Sequence, residues 1–144
     1  MNRTVIDATP ERVFEVLSDP DSYGYWVVGS SRIRDADADF PAPGSRFHHT
    51  QGIGGIGIRD ATRVVAADPP RRLVLTVCAR PLAVAEVTLD LASVTDGTEV
   101  SFRERPLGGF AGRLPRLVVD PPTRLRNEIS LRRLRKLAEA NGRS

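Results

Sequence analysis

Three polar side chains carry the chemical interest of this 144-residue sequence: His49, Glu104 and Asn127, each set where the surrounding pattern calls for an apolar residue. His48 and His49 are adjacent, so in a strand they face opposite ways. If Phe47 faces the core, His49 and Gln51 share its face and His48 points to solvent. An inward imidazole is a hydrogen-bond partner or general base near neutral pH, or else a buried histidine satisfied by a neighbour. Glu104 extends the alternation of Val100 and Phe102, so a carboxylate continues an apolar face. It can accept a proton from a substrate, bind a ligand hydroxyl, or close an ion pair with an arginine at the sheet rim. Asn127 lies at the azimuth of a later leucine stripe, where a polar group needs a hydrogen-bond partner or a wet cavity.

Other chemistries find less support. Two histidines pointing apart and a single cysteine, Cys78, do not compose a metal site, so no metal or cofactor is expected. Gly52-Ile53-Gly54-Gly55-Ile56-Gly57 matches the letters of a dinucleotide-binding turn. That turn needs a helix after it to face the pyrophosphate, whereas Ile58 to Val65 reads as a strand. The glycines suit a hairpin better, with Ile53 and Ile56 at a pocket entrance. No serine has the flanking glycines of a nucleophile elbow, and covalent catalysis is not indicated.

These side chains need a scaffold, and the pattern supplies one. Thr4 to Ala8 reads as a short strand, and Thr9-Pro10-Glu11 then gives an N-cap, a first-turn proline and an early acid. The helix they open carries Val13, Phe14, Val16 and Leu17 on one face and breaks at Ser18-Asp19-Pro20. A second short helical turn bears Tyr23, Tyr25 and Trp26. From Val27 to Arg105 strand follows strand, with breaks at Pro41 to Gly44, Gly52 to Gly57, Asp68-Pro69-Pro70, Pro81-Leu82 and Asp96-Gly97. Connections this short require antiparallel neighbours. After an irregular Gly- and Pro-rich stretch, a helix is predicted from Thr123 to about Ala140, with Asn127, Ser130, Leu131, Leu134, Leu137 and Ala138 on one stripe.

One strand, two short helices, a six-strand antiparallel run and a long final helix is the order of the helix-grip fold. Val5-Ile6-Asp7-Ala8-Thr9-Pro10-Glu11-Arg12-Val13-Phe14-Glu15-Val16-Leu17-Ser18-Asp19, with Tyr25-Trp26 after it, resembles the opening of the START-like (SRPBCC) superfamily of polyketide cyclase/dehydrase-type and coenzyme-Q-binding-type proteins. Pro43-Gly44-Ser45-Arg46-Phe47, Val64 to Pro70, Asp96-Gly97-Thr98-Glu99-Val100 and Arg126-Asn127 resemble its later strands and final helix. The resemblance covers residues 1–144 as one α+β domain: a curved antiparallel sheet of six to seven strands wrapped around a long C-terminal helix. It implies a large internal cavity beneath that helix, open at one end. Its motifs speak to fold more than to function, since the scaffold hosts carriers, cyclases and hydrolases alike.

Composition sets the remaining bounds. With 40% hydrophobic and 27% charged residues the chain has an ordinary globular make-up. No run approaches the ~18 apolar residues of a membrane span. The opening residues lack the apolar core of a signal peptide, so a cytoplasmic location is expected. Basicity is concentrated at the end: residues 1 to 110 hold 12 arginines against 15 acidic residues, and residues 111 to 144 hold 9 basic against 3 acidic. A solvated outer helix face accounts for this. Docking to anionic lipid or nucleic acid would want interleaved aromatics, which are absent. The expected partner is a small apolar or amphipathic molecule, such as a polyketide, lipid or quinone, contacted by Trp26, Phe47, His49, Gln51, Phe102, Glu104 and Asn127. A carrier and an enzyme of the cyclase or dehydratase kind, with His49 and Glu104 exchanging protons, both fit. No oligomeric state follows from the sequence.

Overall fold

The computed structural model describes residues 2–27, 30–53, 56–79, 83–108 and 116–142; side chains at 30–34, 49–60, 79, 83, 108, 116–123 and 141–142 lie outside the description. The elements are β1 (Asn2–Ile6), α1 (Pro10–Leu17), a 3-10 turn (Pro20–Ser22), α2 (Tyr23–Trp26), β2 (Ser30–Ala36), β3 (Arg46–Ile53), β4 (Ile56–Asp68), β5 (Arg72–Ala79), β6 (Ala83–Val94), β7 (Gly97–Gly108) and α3 (Arg116–Gly142). All seven strands join one antiparallel sheet in the order β1-β7-β6-β5-β4-β3-β2. Strands β2 to β7 thus form a meander, and β1 returns to cover the free side of β7. Register shifts in β2–β3, β4–β5 and β6–β7 bend the sheet. At the shift beside Val64 the next residue, Val65, is left exposed on the outer side.

Alternation along each strand sends one row inward. Phe47, Val64, Leu73, Leu75, Val87, Leu89, Leu91, Val100 and Phe102 are buried, and they meet Val13, Phe14, Val16 and Leu17 of α1 and Leu131, Leu134 and Ala138 of α3. The outer face is charged: Asp90 accepts from Arg72 at 2.6 Å and Arg103 at 3.1 Å, and Glu86 pairs with Arg105 at 3.3 Å. Helix α3 lies along β1 and runs the same way. The Asn2 amide donates to the Arg124 carbonyl at 3.1 Å near one end, and the Asp7 N–H donates to Glu139 at 3.0 Å near the other.

Element boundaries depart from the pattern in three places. Strand β1 ends at Ile6, not Ala8, because the Ala8 N–H folds back onto the Ile6 carbonyl at 2.8 Å. Helix α3 begins at Arg116, upstream of Pro121 and Pro122, and not at Thr123. Pro121 and Pro122 are its sixth and seventh residues, past the first turn, so each forgoes one intrahelical hydrogen bond. Strand β7 passes through Pro106 to Gly108. Its pairing with β1 stops at Phe102, so Pro106 sits where one side of the strand is an open edge and a missing N–H costs little. The glycine run forms a hairpin, with Gly52 opposite Gly57 and Ile53 opposite Ile56; its tip, residues 54 and 55, lies outside the described residues. The side chains of Ile53 and Ile56 lie outside them as well.

Candidate functional site

The end of β1 creates the site. Beyond Phe102, β7 loses its β1 neighbour, and α3 comes alongside with Arg126 and Asn127. Glu104, two residues past Phe102, receives them. Arg126 Nη2 donates to both carboxylate oxygens, at 2.6 Å and 2.5 Å, and Asn127 Nδ2 donates to Oε2 at 3.3 Å. Arg126 also lies 3.4 Å from Asn127 Oδ1. The Glu104 side chain is 16% exposed and that of Arg126 43%, while Asn127 is 4% exposed. An arginine, a carboxylate and an amide therefore close a triangle between sheet and helix, its amide corner facing the interior.

Helix α3 continues from this polar corner into grease. Ser130, Leu131, Leu134 and Ala138 are buried on the stripe that Asn127 begins. A bound molecule lying along that stripe would meet polar groups at one end and hydrocarbon at the other.

A chain of aromatic rings leads away on the other side. Tyr23 stands 5.0 Å from Trp26 and 4.8 Å from Phe47, ring centre to ring centre, and Phe40 packs edge-on against both Tyr23 and Phe47. The turn between α1 and α2 fixes these rings. Thr9 caps α1 by accepting from the Arg12 N–H, and Asp19 caps the 3-10 turn by accepting from the Asp21 N–H. Carbonyls at the end of α1 are then taken up by side chains: Ser22 Oγ donates to Val16 and Tyr23 Oη to Leu17, at 2.8 and 2.7 Å. Burial, with Asp19 adding to it, pushes the Tyr23 phenol well above its ordinary range. Trp26 is 1% exposed, and its indole Nε1 has no hydrogen-bond partner among the described residues.

Of the seven candidate residues, Trp26, Phe47, Phe102 and Asn127 are buried, and Glu104 and Asn127 are in direct contact. His49 and Gln51 occupy β3, paired with Asp60 and Ile58 of β4, and their side chains lie outside the described residues. His48 is half-buried on β3, which is flanked by β2 and β4. Tyr25, next to Trp26, is half exposed and turns away from the core. Arg126 is the member that sequence reading missed: an arginine at the rim was foreseen, but among so many arginines only the fold selects one.

A broad open hollow of about 1240 Å³ lies at the other end of the molecule, bordered by Arg12, Glu15, Asp96, Arg135 and Glu139. Two ion pairs stand on its border, Arg12 to Glu15 at 2.8 Å and Arg135 to Glu139 at 3.0 Å, and none of the candidate residues borders it. The β7–α3 corner, where Glu104 and Asn127 meet at the head of a buried apolar stripe, is the better candidate. Among the described residues no group of three or more His, Cys, Asp or Glu is placed to hold a metal ion. No helix among them is long and apolar enough to cross a membrane.

Comparison with known proteins agrees with this architecture. Residues 2–139 match the family model described as polyketide cyclase / dehydrase and lipid transport. No curated protein matches the sequence. Solved structures with the same fold include a Chromobacterium violaceum protein (22% identity, TM-score 0.73, covering 96% of this chain and 95% of the other). A Rhodobacter sphaeroides protein is similar at 23% identity and TM-score 0.74, with 96% and 89% covered. The di-domain ARO/CYC StfQ from the steffimycin biosynthetic pathway superposes with TM-score 0.73 at 12% identity, the match covering 97% of this chain and 49% of StfQ.

Proposed function

The chain belongs to the polyketide cyclase / dehydrase and lipid transport family, and from that premise we propose that it binds a small amphipathic molecule between its sheet and α3 as a carrier. One observation supports this most: the buried stripe of α3 opens with Asn127, hydrogen-bonded to Glu104, and continues as Leu131, Leu134 and Ala138. Such a surface suits a molecule with one polar end. Trp26, Phe47 and Phe102 supply apolar wall, and His49 and Gln51 extend the proposed contact set along β3. Purified from its own host and examined by native mass spectrometry, the protein should retain an adduct of small-molecule mass, and Glu104→Gln or Asn127→Leu should retain less. Bare protein from the host, with no adduct at any ionisation energy, would remove this reading.

Family membership also covers cyclase and dehydrase chemistry. Strands β3 and β7, which carry His49 and Glu104, stand four steps apart in sheet order, roughly 19 Å along the sheet at about 4.8 Å per step. General acid and base working on one atom must both come within hydrogen-bond reach of it. Glu104 is moreover already engaged by Arg126 and Asn127. Orientation of a ligand therefore fits this corner better than paired proton transfer. On the basic helix face Arg132 is bound to Glu128, Arg135 to Glu139 and Arg126 to Glu104, and the exposed Arg124, Arg133 and Lys136 have no aromatic partners interleaved with them, which favours a solvated face over a docking surface.

A further inference from the structure

Trp26 is the single tryptophan of the chain, 1% exposed, and its indole N–H meets no acceptor among the described residues. Natural interiors leave few polar groups in this state, and those they leave call for an explanation. Carbonyls of Val16 and Leu17 already accept from Ser22 and Tyr23, and the Tyr23 hydroxyl is committed as donor to Leu17. The same bonds hold α2 rigidly against α1, and the Tyr23 ring fixes the indole from one side at 5.0 Å. Trp26 is thus packed within the core with its donor unpaired among the described residues. It lies in the layer where α2 packs on α3, the helix that carries Asn127.

We propose that the Trp26 indole N–H donates a hydrogen bond to an oxygen of the bound molecule, so that the ligand class is apolar ring or chain compounds bearing a carbonyl or comparable acceptor oxygen. This rests on the ligand-binding reading above and sharpens it. Indole Nε1 is a donor only, which restricts its partner to an acceptor. A hydrocarbon of the same shape would leave the donor buried and unpaired, whereas a ketone satisfies it. The site thereby discriminates by oxygen content, not by shape alone.

The test uses two probes of one shape, 1-tetralone and tetralin, which differ in one carbonyl. With one tryptophan, the 15N-labelled protein gives one indole resonance, and that resonance reports on Nε1 alone. The ketone is expected to move it downfield and to bind about fivefold more tightly than the hydrocarbon; Trp26→Phe is expected to bind both alike. If both probes perturb the backbone amides with equal affinity and the indole resonance stays in place, the proposal is overturned while ligand binding stands. If neither probe perturbs any amide, the binding reading fails and this inference with it. Should Trp26→Phe not fold, the titration of the unaltered protein decides the matter by itself.

Discussion

Asn127 on α3 and Glu104 on β7 meet through an Nδ2 to Oε2 hydrogen bond of 3.3 Å, across the gap left where β1 stops pairing with β7. Arg126, the preceding residue, reaches the same carboxylate from the solvent side. Neighbours on a helix point about 100° apart. Here they grip one acceptor from two directions, one buried and one largely exposed.

That difference sets an order among substitutions. Glu104→Ala strands the buried Asn127 amide without its acceptor, so about 1–3 kcal/mol of stability should be lost. Arg126→Ala removes a partner that is 43% exposed, where an ion pair contributes at most about 1 kcal/mol. Urea denaturation of both variants measures this directly. A larger loss for Arg126→Ala than for Glu104→Ala would show that the exposed arm, not the buried one, holds the corner.

Two glycines with positive φ separate strain from collision. Gly44, at φ 87°, has open space where a Cβ would stand; Gly97, at φ 137°, would drive a Cβ into the Ile6 carbonyl and within 3.1 Å of Asp7 Cα. Gly44→Ala should therefore cost only the conformational term, about 1–2 kcal/mol. Gly97→Ala should cost distinctly more, because β1 must shift away from β7 to admit it. Melting temperatures of the pair decide the point, and equal depression in both would contradict it.

Leu134 and Leu125 make a similar contrast on one helix. Leu134 is fully buried and Leu125 is 60% exposed. Truncation of Leu134 to alanine should cost about 2–5 kcal/mol, through lost transfer energy and the cavity left behind. For Leu125→Ala the change should stay within about 0.5 kcal/mol. Comparable losses at both positions in chemical denaturation would mean that this part of α3 is covered by something beyond the chain's own core.

What the sequence made legible follows from the range of the interactions involved. Thr9-Pro10 announced α1, Asp96-Gly97 the last hairpin, and the leucine stripe the buried face of α3, because each is a local pattern with a local cause. Asn127 and Glu104 stood out as polar interruptions of apolar rows. Their meeting needed the fold, being set by where β1 ends. Arg126 was illegible for the same reason: its neighbours in sequence do not choose its partner. The early start of α3 was hidden by Pro121 and Pro122, since a proline also disfavours helical geometry in the residue before it. Tyr23 read as one aromatic among several, and only the carbonyl it caps distinguishes it.

That bond gives Tyr23 a pH signature. Burial, and then Asp19, raise the phenol's pKa in the fold above its ordinary value of about 10. The folded state therefore keeps its proton at pH values where the unfolded chain releases it. Stability from this group is fully present below about pH 10 and declines as pH rises beyond, by about 1.4 kcal/mol per pH unit, toward the raised folded value. Tyr23→Phe has no proton to lose, though at neutral pH it forgoes the 2.7 Å bond to the Leu17 carbonyl and should be about 1 kcal/mol less stable. Urea unfolding of both proteins at about pH 8 and about pH 11 isolates the effect, since every other titrating group is shared. The advantage of the unaltered protein should shrink by about 1 kcal/mol or more across that interval. A constant difference would mean that the phenol ionises in the folded state as readily as in the unfolded chain.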